Sequence, residues 1–191
     1  LFPDSIQLTI LKQKQGDRLG VAVLRHNIGH ILLERGRLKA AKTQLEKACN
    51  SLKEQGEASH LIQFLGNLAL ADIYLGNYRA ASKHLEQADP RLREIENSEL
   101  LFWLVSVKGK LWLDSANPQA AHSIMGPMKE KLPVGSPLSR EHFFFIIRLY
   151  QAEMELGIAD EESHQILSKL ITDKTDLLLH SELLITLAWY Q

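Results

Sequence analysis

Displaced by 40 residues, the chain aligns with itself, and no other feature limits its fold as tightly. Gly16 falls on Gly56. Gly29 falls on Ala69 and then on Gly109, and Gly36 falls on Gly76 and then on Ala116. Ala40-Ala41 recurs as Ala80-Ala81 and Ala120-Ala121. Leu45 is matched by Leu85 and Met125, and Ala48 by Ala88 and Met128. A fourth copy is weaker: Leu156-Gly157 comes one residue late, and Glu161-Glu162 replaces the alanine pair.

These residue types describe two amphipathic helices joined by a tight turn. Gly36 and Gly76 stand where a helix must close in a left-handed conformation, which glycine adopts without steric cost. Pro118 stands in the first turn of a helix, where its missing N–H does no harm. The small residues Gly29, Ala41, Ala69, Ala81, Gly109 and Ala121 allow paired helices to approach closely. Leu45, Leu85 and Met125 then fill the space between successive pairs. The pattern predicts a leading helix at about 4–14. It then predicts pairs at about 18–35 with 38–54, 58–75 with 78–88, 98–115 with 118–131, and 139–156 with 160–171, and a last helix from about 176. No strand is expected, since the apolar run Phe143 to Ile147 lies in a helix slot. Pro133-Val134-Gly135-Ser136-Pro137 is the clearest break. The expected fold is all-α, with about 9–10 helices in one array over residues 1–191. Its repeats are expected at about 17–55, 56–96, 97–135 and 136–175, with partial helices at either side. One such pair cannot bury its apolar face alone, so neighbours must stack.

Composition narrows the function. A net charge of −1 gives no general attraction to nucleic acid or anionic membrane. No apolar run approaches the roughly 20 residues that cross a bilayer. A single cysteine, Cys49, excludes an internal disulfide and fits a reducing, cytoplasmic setting. The chain opens on Leu1-Phe2-Pro3-Asp4 and stops within an apolar helical pattern, so we expect it to be part of a longer protein. Its near-zero net charge conceals a gradient. Residues 1–55 carry ten Lys/Arg and five Asp/Glu, residues 56–140 nine of each, and residues 141–191 three and nine. That polarity suggests that it orients a neighbouring segment, or supports head-to-tail contact between copies.

The pattern Ile28-Gly29-x-x-Leu32-x-x-x-Gly36-x-Leu38-x-x-Ala41-x-x-x-Leu45-x-x-Ala48 resembles the tetratricopeptide repeat. Leu68-Ala69 through Gly76-Asn77-Tyr78, Ala81, Leu85 and Ala88 resembles it too. The third copy places Lys108 where a leucine is usual. The 40-residue length is similar to the sensor regions of MalT-type transcription activators and related signalling ATPases, and to the longer repeats of animal polarity scaffolds. The resemblance implies a right-handed superhelical α-solenoid, a non-catalytic scaffold that binds a protein or peptide within a signalling or transcription-regulating protein. The alternative it carries is a small-molecule effector sensor of the MalT type. In such arrays the first helix of each pair lines the concave face. That maps Val23, His26, His30 and Leu33 to the face in repeat one, and Gln63, Leu70, Ile73 and Tyr74 in repeat two. Repeat three gives Trp103, Ser106, Lys110 and Leu113, and repeat four Phe144, Ile147 and Gln151. The partner-binding candidates are His26, His30, Gln63, Leu70, Tyr74, Trp103 and Lys110, although Trp103 and Phe144 fit a core role equally.

Catalytic and metal signatures are weaker. His26 and His30 share a helix face, but Asn27-Ile28-Gly29 lacks the glutamate of a zinc H-E-x-x-H motif. Two surface polar residues is the expected reading, and a metal pair completed by Glu34 stays open. Cys49 lies beside the packing position Ala48 and reads as a buried structural thiol. Asp160-Glu161-Glu162 reads as the acidic start of a helix. No phosphate loop, nucleophile elbow or cofactor motif is present, so neither a cofactor nor catalysis is expected.

Overall fold

The structure, a computed structural model, describes residues 11–53, 58–92, 98–133, 138–159 and residue 165. All regular structure among the described residues is helical. The chain divides into two compact units, Leu1–Glu96 and Asn97–Gln191. In the first, a helical turn at 11–14 precedes α1 (Arg18–Glu34), α2 (Leu38–Lys53), α3 (Ala58–Tyr74) and α4 (Tyr78–Leu92). The second holds α5 (Ser98–Asp114), α6 (Pro118–Met125), a 3-10 helix (Gly126–Lys131) and α7 (Arg140–Glu155). Successive helices pack as adjacent pairs, α1 on α2, α3 on α4 and α5 on α6. The helices expected at 160–171 and from 176, and most of the one at 4–14, lie outside the described residues.

One turn recurs throughout. The N–H of Gly36 donates to the Leu33 carbonyl at 2.9 Å and that of Arg37 to the Leu32 carbonyl at 2.8 Å, with Gly36 at φ 68°. These two bonds define a Schellman closure, which satisfies carbonyls the helix end would otherwise orphan. The same pair of bonds closes the helices before Asn77, Asn117 and Ile158. At Asp17, Arg37, Asn77 and Asn117 the residue that donates the second bond then stands at the start of the next helix. Asp17 caps α1 by accepting from the Gly20 N–H at 2.7 Å, and Asn117 caps α6 by accepting from Ala120 at 3.1 Å. In the third copy the left-handed position belongs to Ala116, at φ 55°. A Cβ there costs about 1–2 kcal/mol. Ala116→Gly should therefore raise stability by about 1 kcal/mol in urea denaturation, despite the greater entropy of unfolded glycine.

As expected, Gly29 and Gly109 let the two helices of a pair approach closely. A Cβ on Gly29 would meet Leu45 Cγ at 2.7 Å and Cδ2 at 2.9 Å, with the Ala41 carbonyl at 3.3 Å. A Cβ on Gly109 would run into Met125 Sδ. Leu45 and Met125 thus fill the space inside their own pair, not only between pairs. Leu45 is fully buried and has nowhere to retreat. Gly29→Ala should destabilise by about 1–3 kcal/mol through overpacking, against the gain of about 1 kcal/mol that alanine brings to an open helix site. The sign of the shift in urea midpoint decides between them.

Two helices end differently from expectation. α4 runs on from the expected 88 to Leu92 with Pro90 inside it. Two residues from the end, Pro90 forfeits only one helical bond, to the Glu86 carbonyl. The helix expected over 118–131 stops at Met125 and continues as a 3-10 helix. Pro127 cannot donate to the Ser123 carbonyl, so the α-helical ladder breaks there. With α6 only eight residues long, α7 packs chiefly on α5. Phe102, Met125, Phe145 and Ile147 form the centre of that unit's core.

Candidate functional site

The seven candidate residues separate by depth. Gln63 is exposed, while His30, Tyr74, Trp103 and Lys110 are half-buried. Leu70 is buried, as is His26 at 5% exposure. Of the other inner-face assignments, Leu33, Ile73, Ser106, Phe144 and Ile147 are core, and Val23, Leu113 and Gln151 are half-buried. Lys110 Nζ lies 3.2 Å from the Asp114 carboxylate one turn away.

His26 is a wall residue, so the expectation of a surface polar residue is corrected. Its ring lies flat on Phe64, with centroids 3.9 Å apart and planes 2° from parallel. Its Nε2 is 2.8 Å from Asn67 Nδ2, which can only donate, so Nε2 accepts. The ring proton then sits on Nδ1, 3.4 Å from Asn27 Oδ1. Burial above all pushes its pKa down to about 4. His30 Nδ1 stands 3.8 Å from Glu34 Oε1. Among the described residues, no group of three or more His, Cys, Asp or Glu side chains is placed to hold a metal ion. Cys49 is buried, and desolvation raises its thiol pKa to about 12, which suppresses the thiolate.

Sequence reasoning missed a buried polar cluster. Asp72, near the end of α3, is fully buried. Its Oδ1 accepts from Lys42 Nζ of α2 at 2.6 Å and from Asn77 Nδ2 at 3.1 Å. His84 Nε2 of α4 lies 3.3 Å from its Oδ2. The bond to Asp72 raises the Lys42 pKa, while burial lowers that of His84 against the pull of Asp72. One carboxylate thus ties the second helix of repeat one to both helices of repeat two.

The second unit carries buried polar groups at corresponding steps. Asp72 is the fourth residue before the left-handed Gly76, and Glu153 is the fourth before Gly157. Glu153 is also buried and stands 3.8 Å from Lys129. The His26–Asn67 contact between α1 and α3 has its counterpart between α5 and α7. There Arg148, only 2% exposed, donates through Nη1 to Ser106 Oγ at 3.0 Å. Ser106 Oγ in turn donates to the Trp103 carbonyl at 2.7 Å. The repeats therefore differ alternately in their buried polar groups. Comparing positions two repeats apart, rather than one, would have exposed the signal: a polar or charged residue at a core step.

The fold and this face together define a helical-repeat protein with half-buried first-helix surfaces. Residues 22–51, from within α1 to within α2, match the family model described as tetratricopeptide repeat. Comparison with curated proteins and with solved structures found no match. No helix among the described residues is long and apolar enough to cross a membrane.

Proposed function

We propose that this chain is a protein- or peptide-binding scaffold of a larger signalling or transcription-regulating protein, cytoplasmic and without catalysis of its own. The observation that carries the reading is the tetratricopeptide-repeat match over the first helix pair, since such repeats generally bind protein partners. Each unit offers its own first-helix surface. In the first unit His30, Gln63 and Tyr74 contact the partner, while His26 and Leu70 form the wall beneath. In the second, Trp103 and Lys110 make the contacts. Half-buried aromatic, amide and cationic groups suit an extended peptide, which gains affinity from hydrogen bonds at fixed spacing and from shallow apolar contact. A MalT-type effector sensor would instead require a closed apolar pocket of a few hundred Å³.

A displayed peptide library panned on the intact chain tests the proposal. Peptides selected by the wild type should lose at least about tenfold in affinity for a His30→Ala/Gln63→Ala/Lys110→Ala variant, a loss of about 1.4 kcal/mol. These side chains are not core, so the variant should retain its helical circular dichroism. Unchanged affinity for every selected peptide would remove these residues from the site. Head-to-tail association of copies stands beside this reading and does not depend on it.

A further inference from the structure

The charge gradient of the chain acquires a location in the first unit. α2 turns one face to solvent, where Lys39, Thr43, Glu46, Lys47, Asn50 and Lys53 recur at helical spacing and all are exposed. Arg37, at the head of that helix, is exposed as well. Glu46 is the single acid on this stripe among the described residues. Lys42 does not belong to it, because its charge is turned onto buried Asp72. The equivalent face of α4 is mixed, with Arg79 and Lys83 offset by Glu86. Among the described residues, the outward face of α2 thus carries a larger cationic excess than that of α4. The complementary charge lies elsewhere in the same sequence: residues 141–191 carry nine Asp/Glu against three Lys/Arg.

We propose that the outward face of α2 docks the acidic carboxy-terminal quarter, residues 141–191, of a second copy of this chain. Such a contact is heterologous: the two surfaces differ, so a copy that engages through its basic face keeps its acidic quarter for the next. The attraction is between solvated charges. It directs encounter and orientation, and salt weakens it. This association uses second-helix residues and leaves the first-helix surfaces untouched, so it stands or falls independently of peptide binding.

Sedimentation velocity of the 191-residue chain over a concentration series tests the proposal. The wild type should associate at low salt and dissociate at about 0.5 M salt, where the Debye length falls to about 4 Å. An Arg37→Glu/Lys39→Glu/Lys47→Glu variant should remain monomeric at the same concentrations, as should a Glu155→Lys/Glu161→Lys/Glu162→Lys variant. Mixed together, the two should associate again, because the reversed charges are complementary. Circular dichroism melts confirm that both variants are folded. A wild type that is monomeric throughout, association indifferent to salt, or folded variants that fail to associate when mixed would each overturn the proposal. So would a nucleic-acid oligomer that binds this face more tightly than a second copy does.

Discussion

Lys42→Met should lower the stability of the chain by about 3 kcal/mol, although Lys42 is partly exposed and lies on a helix surface. The reason is the group it leaves behind. Asp72 has no solvent exposure, and an uncompensated buried carboxylate is among the costliest single defects a fold can carry. Asn77 and His84 remain as neighbours of the carboxylate, but only His84 can supply a compensating charge. Lys42 depresses the His84 pKa, so its removal should move that pKa upward in a histidine-resolved NMR titration. The double variant Lys42→Met/Asp72→Leu should recover most of the loss, since it replaces a buried ion pair with apolar contact. If the single variant unfolds at the wild-type urea concentration, the cluster is decoration on the joint between repeats and does not hold it.

The second large effect is one of pH. His26 ionises near its ordinary value of 6.5 in the unfolded chain and at about 4 in the folded one. Between those values the unfolded state binds one more proton. Stability from this group is therefore complete above the unfolded pKa and drains as pH falls towards 4, by about 1.4 kcal/mol per unit. Between pH 7 and pH 5 the wild type should lose about 2 kcal/mol more than a His26→Phe variant. Phenylalanine keeps the stack on Phe64 and cannot titrate. The variant also starts lower at pH 7 by about 1–3 kcal/mol, because Asn67 loses its acceptor. Parallel acid limbs for the two proteins would mean that His26 is not held neutral by its surroundings.

Most of the helical frame was legible because its determinants are local. Gly36 and Gly76 mark helix ends by their left-handed geometry, and the apolar spacing between them fixes which faces are buried. The same reasoning failed at Gly126-Pro127, where the repeat period favoured a longer helix than the chain can hydrogen-bond. The candidate surface was legible only in outline. Periodicity assigns His26 and Gln63 to the same kind of helix, but it cannot say that His26 lies against Phe64 while Gln63 reaches solvent. That depends on which neighbouring helix lies above each position. Asp72 was invisible for a related reason. A shift of one repeat sets it against Leu32 and Trp112, so it reads as an irregularity until its partners on α2 and α4 are seen.

The shared turn residue has a consequence for how such a chain can change over time. Within the pairs, Asn77 and Asn117 close one helix by donating and open the next by accepting. No residue in the hairpin is spare. Adding or deleting one there would rotate everything beyond it by about 100°, and the buried contacts across the pair would be lost at once. Length variation is therefore excluded from the hairpins and confined to the links between them. The helix pair, cut at those links, is the natural unit for duplication, exchange or grafting into another array.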